Sequence, residues 1–78
     1  MNRGIDTLAD NFEDWSSILK KSSKSSAEYS KAMSGMKEAL SDVLDVEEEF
    51  ISADFVINNL EDIEKAATGD AKAIDRLH

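Results

Sequence analysis

Apolar residues recur three and four positions apart near the start of the chain: Ile5, Leu8, Phe12, Trp15 and Leu19. That spacing places five large side chains on one face of a helix, over about four turns. The pattern predicts a first helix from Gly4–Asp6 to about Lys20 (residues 5–20). Asp6 and Asp10 near its start and Lys20 and Lys21 at its end suit the helix dipole. Ser16 and Ser17 are expected to lie off the apolar stripe.

The pattern breaks at residues 21–26, Lys-Ser-Ser-Lys-Ser-Ser. Serine hydroxyls compete with the helical backbone for hydrogen bonds and favour turns and caps. Ser25-Ser26-Ala27-Glu28 fits a capping box with Ser25 as N-cap and Glu28 reaching back. A second helix is predicted over about 26–45. Its apolar face is Tyr29, Met33, Met36, Leu40, Val43 and Leu44, with Ala32 and Ala39 permitting close helix approach.

Residues 45–51, Asp-Val-Glu-Glu-Glu-Phe-Ile, fit either a short helical turn capped by Asp45 and Glu48 or a continuation of the second helix. The adjacent pair Phe50 and Ile51 suits a bend that plugs into the core. Ser52 is a good N-cap and Asp54 suits a first turn. A third helix is predicted over 53–67, with Phe55, Val56, Leu60 and Ile63 inward and Ile57 partly exposed. Thr68-Gly69-Asp70 is a sharp turn: Gly69 can close one helix in the left-handed region and Asp70 can cap the next. A short fourth helix over 71–77 would pack Ile74 and Leu77.

These elements make an all-α fold, a compact bundle of three main helices plus a short C-terminal one, within one domain spanning 1–78. The core is expected to rest on Trp15, Tyr29, Leu40, Phe55 and Leu60. Trp15, Tyr29, Met33 and Met36 are open to either core or interface, because aromatic edges and flexible thioethers serve both. Zero Pro and three Gly agree with long helices. A chain of 78 residues without Cys has no disulfide or thiolate metal site to support a small core, so packing against neighbouring domains or self-association is expected.

Charge and composition narrow the function. A net charge of −8 disfavours nucleic acid and anionic membrane surfaces, which need clustered Lys and Arg. No apolar run approaches the ~20 residues that span a bilayer. The N-terminal Met-Asn-Arg-Gly-Ile-Asp carries no apolar segment that would read as a signal peptide.

Residue types that do chemistry are scarce. The single His is His78, the last residue of this sequence, where chains usually fray. Asp42, Asp45, Glu47, Glu48 and Glu49 could attract a cation, but Leu44 stands where a calcium loop from Asp42 needs its third-position oxygen. A solvated acidic face fits better. No Ser sits in a nucleophile elbow or beside a base. An Asp-Ser-Leu phosphopantetheine motif is missing, which opposes an acyl carrier. Acids outnumber bases over 52–78, which opposes a DNA-reading helix-turn-helix. The expectation is a protein that is not an enzyme, with no cofactor, no metal and no small-molecule substrate.

A series of local patterns gives a sharper suggestion. Asn11-Phe12-Glu13-Asp14-Trp15 is followed by Leu19-Lys20. After the Ser-rich gap come Ser26-Ala27-Glu28-Tyr29 and Ala32-Met33, then Leu40-Ser41-Asp42-Val43-Leu44-Asp45-Val46. Ser52-Ala53-Asp54-Phe55-Val56 and Glu64-Lys65-Ala66-Ala67-Thr68-Gly69-Asp70 follow, closed by Ala73-Ile74 and Leu77. In this order, from about residue 8 to 77, they resemble a segment of a bacteriophage tail tape measure protein. The resemblance implies a viral structural protein that is long and mostly helical, sits in the tail tube lumen, sets tail length during virion tail assembly and leaves ahead of the DNA. This chain would be one compact piece of it, made in the host bacterial cytoplasm and located in the virion tail. Its partners would be other tail proteins or further copies of itself. The acidic surface would repel passing DNA rather than bind it. A free-standing acidic adaptor, binding a host or phage protein through an apolar strip, is the alternative. There, the acidic segment 42–49 would steer a basic partner.

Overall fold

A computed structural model describes residues 3–78; Met1 and Asn2 of the N-terminal hexapeptide lie outside them. Five helices follow one another: α1 (Arg3–Lys21), α2 (Ala27–Leu44), α3 (Ala53–Asn58), α4 (Leu60–Ala67) and α5 (Ala71–Leu77). A single 3-10 turn, Glu48–Phe50, lies between α2 and α3. No strand occurs among the described residues, so the fold is the all-α bundle that the periodicity predicts.

α1 and α2 form an antiparallel hairpin, and two glycines set how closely they pack. A Cβ built on Gly4 would lie 2.5 Å from the Ala39 carbonyl oxygen and 2.8 Å from Asp42 Cβ. A Cβ built on Gly35 would lie 2.6 Å from Trp15 Cζ2. Contacts this short leave no room for a side chain at Gly4, and at Gly35 only if the Trp15 ring moves. The helices therefore meet backbone to side chain, with Ala32 and Ala39 buried between them. α4 packs on α1, α5 packs on α4 and α2, and α3 lies against α2 and α4. Leu8, Met36, Leu40, Val56 and Ile63 are the largest fully buried side chains. These helices thus feed one core, and the radius of gyration of 11.4 Å is what a compact chain of this length should have.

Caps fix the element ends. The N-cap of α2 is Ser26, one residue later than expected: its Oγ accepts from the Tyr29 N–H at 3.1 Å. Ser25 turns instead to Ser23, whose Oγ lies 2.9 Å from its own. Asp45 closes α2 in the left-handed region at φ 55°, and the Val46 N–H donates back to the Ser41 carbonyl at 3.2 Å. This is a Schellman closure in which Asp stands where Gly is usual. Asp45 therefore ends α2 and caps nothing after it. The 3-10 turn starts from Glu47, which makes no side-chain capping bond.

The third predicted helix is two. Asn59 leaves helical geometry at φ −122°, ψ 21°. Its side-chain amide donates to the Phe55 carbonyl at 2.8 Å, and its N–H donates to Val56 at 3.3 Å. The side chain has taken the acceptor that the helical backbone would use, which is how Asn breaks helices. α4 resumes with the Ile63 N–H on the Asn59 carbonyl at 2.9 Å.

The remaining punctuation follows expectation. Ser52 Oγ accepts from the Phe55 N–H at 3.0 Å. Gly69 sits at φ +89°, with the Gly69 N–H on the Ala66 carbonyl and the Asp70 N–H on the Lys65 carbonyl. Asp70 Oδ1 then accepts from Lys72 and Ala73. One aspartate ends one helix and starts the next. Ser16 corrects the expected stripe: it is buried, at 7 % exposure, and its hydroxyl donates to the Glu13 carbonyl at 3.2 Å. That bond inside its own helix lets a small polar residue sit at the helix contact without an orphaned donor.

Candidate docking notch

The end of α2 and the turn that follows it build an apolar notch. Ser41 Oγ donates to the Val46 carbonyl at 2.7 Å, which ties Val46 down beside the end of α2. The chain then tightens into the 3-10 turn, with the Phe50 N–H on the Glu47 carbonyl and the Ile51 N–H on the Glu48 carbonyl, both at 3.0 Å. Successive residues of such a turn point about a third of a circle apart. Only one of the adjacent pair Phe50 and Ile51 can therefore face inward. Ile51 does, and is buried. Phe50 faces out at 76 % exposure, which corrects the expectation that both plug into the core.

The notch has a volume of about 310 Å³ and is lined by Leu44, Val46, Phe50, Ile51, Phe55, Leu77 and His78. Its walls are apolar apart from His78. Binding sites for small molecules carry several converging polar groups that fix orientation. This notch suits one apolar side chain better. Val46, at 39 % exposure, widens the apolar surface around it.

A second groove shares two of these walls. Ser41, Asp42, Asp45, Val46, Glu47 and Phe50 line it. Val46 and Phe50 therefore form a ridge between an apolar notch and an acidic channel. Asp42, Asp45, Glu47, Glu48 and Glu49 are all exposed. No group of three or more His, Cys, Asp or Glu able to hold a metal ion occurs among the described residues. No helix among them is long and apolar enough to cross a membrane.

The residues singled out from the sequence divide into three groups. Leu19, Tyr29, Met33, Met36, Leu40 and Ile63 are buried in the core. Phe12, Trp15, Phe55 and Leu60 are half-buried at its margin, so three of them, Trp15, Phe55 and Leu60, lie further out than the core role expected of them. Leu8, Val56 and Ala73 occupy the centre instead, and Ile74 is half-buried. Thr68, Gly69 and Asp70 form the turn between α4 and α5. Of these residues, Phe55 alone lines the notch. Leu44, Val46, Phe50, Ile51, Leu77 and His78 complete it, and the sequence carries one sign of this: Phe50 follows three consecutive glutamates, a poor setting for a buried ring. No protein-family model, curated protein or solved structure matches this chain.

Proposed function

We propose that this chain is a non-catalytic docking and assembly module, and that it works where the sequence resemblance suggests, inside a bacteriophage tail tape measure protein. The exposed Phe50 ring beside the apolar notch carries the reading. Aromatic side chains at apolar pockets are frequent anchors of protein contacts, and Phe50 stands with the exposed Val46 at the wall of such a notch. The surrounding fold supplies a rigid base for it, because Ile51 and Leu44 beneath are buried.

The scarcity of chemical residues supports the same reading. The acidic surface fits a lumen that later conducts DNA, since like charges keep the backbone from sticking. The adaptor alternative uses the same notch and differs only in where the chain resides.

Two tests separate these settings. A very long reading frame containing this segment beside tail genes supports the tape measure setting, and a stand-alone short frame supports the adaptor. Phe50→Ser in the parent gene should lower the yield of complete tails while leaving the isolated domain's melting temperature unchanged. Normal tail yield with that substitution would remove the docking role.

A further inference from the structure

We infer that the notch takes a cationic amphipathic segment of another protein: one large apolar side chain seated against Phe50, with Lys or Arg close by reaching Asp42, Asp45 and Glu47. This rests on the docking reading above and names the partner's chemistry.

The shared ridge is the first ground. Val46 and Phe50 wall both the apolar notch and the acidic groove, so a side chain entering one places its neighbours over the other. The second ground is unspent charge. Among the described residues the ion pairs are Lys65 with Glu61 and Arg76 with Asp62, and none of these four lines the groove. Asp42, Asp45 and Glu47 are exposed and make no such pair, and no Lys or Arg lines their groove. Arg3 shares a neighbouring groove with Asp42 without pairing to it. Carboxylates framing an apolar anchor site select cations at the rim, where they speed encounter and reject the wrong sign.

Charge also chooses between occupants. A second copy docking face to face through Phe50 would bring the same carboxylates together, on a chain already at −8. Nucleic acid and anionic lipid are repelled by the same field. A cationic protein segment satisfies both the apolar and the charged half of the surface.

The test is a selection from random linear peptides displayed on a carrier, with the intact chain as target and the Phe50→Ser chain as counter-target. Peptides retained by the first and not the second should share an aromatic or aliphatic anchor with Lys or Arg within one helical turn. For one such peptide, Asp42→Asn, Asp45→Asn and Glu47→Gln together should weaken binding about tenfold at low salt, and added salt should do the same to the unaltered chain. Neutralising Asp10, Glu13 and Asp14 on α1 changes net charge equally and should have little effect. Anchored peptides without an excess of Lys or Arg, or equal losses from the two triple variants, would overturn the cationic partner and leave the docking reading standing. Failure to obtain any Phe50-dependent peptide would overturn both. Light scattering that shows a Phe50-dependent dimer strengthened by salt would replace the partner with a second copy.

Discussion

The two halves of this chain reach the same helical end by different means. The first half is two helices of 19 and 18 residues; the second is three of 6, 8 and 7. Long helices can follow hydrophobic periodicity alone, because many side chains share one stripe. Helices of about two turns are below the length at which an isolated helix survives in water. They depend on a dock beneath and, in α3 and α5, on a side-chain cap at the start; α4 begins at Asn59 without one. Ser52 and Asp70 supply the caps for α3 and α5, and the α1–α2 hairpin supplies the dock. The first half is therefore a scaffold and the second is a set of short segments laid on it.

Core truncation should show whether scaffold and segments are truly one unit. Leu40 on α2 and Ile63 on α4 are both fully buried. Leu40→Ala and Ile63→Ala should each cost about 2–5 kcal/mol, enough to unfold much of a small domain. Trp15 fluorescence reports the hairpin and far-ultraviolet circular dichroism reports all helices. Both signals should move together in both variants. An Ile63→Ala chain that kept a native Trp15 signal while losing helix would make the hairpin independent.

Glycine replacement should produce the next largest effect and separates two kinds of close contact. At Gly4 the added methyl would strike the Ala39 carbonyl, a backbone atom that cannot step aside. Gly4→Ala should cost about 1–3 kcal/mol through forced separation of the helices. At Gly35 the obstacle is the half-buried Trp15 ring, which can tilt outward. The gain of roughly 1 kcal/mol from replacing a mid-helix glycine offsets part of that clash. Gly35→Ala should thus be milder in thermal unfolding and should shift Trp15 emission. A larger loss at Gly35 than at Gly4 would reverse the assignment of which contact is stiff.

What the sequence reveals about each half follows from these mechanisms. The stripe of α1, the face of α2, Ser52, Gly69 and Asp70 were all legible, because periodicity and caps are local signals. The break at Asn59 was less so: an apolar stripe runs through it from Phe55 to Ile63, and only the Asn58-Asn59 pair hints that a side chain competes with the backbone. Ser16 differs from expectation because a polar residue reads as outward until its own-helix hydrogen bond is seen. Phe50 differs for the opposite reason. An apolar residue reads as inward, and the three glutamates before Phe50 are the one local hint that the 3-10 turn aims its neighbour Ile51 at the core instead. The docking notch was therefore the least legible feature, since residues from α2, the turn, α3 and α5 meet there only after folding.

Removing caps should test the dependence of the short helices on them. Asp70→Ala deletes the acceptor for two backbone N–H groups and should cost about 1 kcal/mol, as should Ser26→Ala at the start of α2. The difference lies in how far the damage spreads. α5 is only seven residues long, so loss of its first-turn bonds should lower hydrogen-exchange protection along the whole helix. α2 is anchored along its length, so only its first turn should open. Equal spreading in both would mean that α5 is held by packing of Ala73 and Leu77 rather than by Asp70.

The smallest stability effect is expected at the residue that matters most to the proposed function. Phe50 exposes 76 % of its surface, so Phe50→Ser removes few contacts and should shift stability by no more than about 0.5 kcal/mol. Its neighbour Ile51 is buried, and Ile51→Ala belongs with the core truncations at about 2–5 kcal/mol. The pair gives a controlled contrast, since the two side chains sit on one turn and are both large and apolar. Chemical denaturation of the two variants measures it directly. A melting curve for Phe50→Ser that matches the unaltered chain, beside a collapsed Ile51→Ala, means that the exposed ring contributes almost nothing to folding. A ring that folding does not need, held out by a well-ordered turn, is then left available for the proposed contact. If instead Phe50→Ser destabilised the chain as much as Ile51→Ala, the ring would be serving the fold, and the docking notch would lose its strongest support.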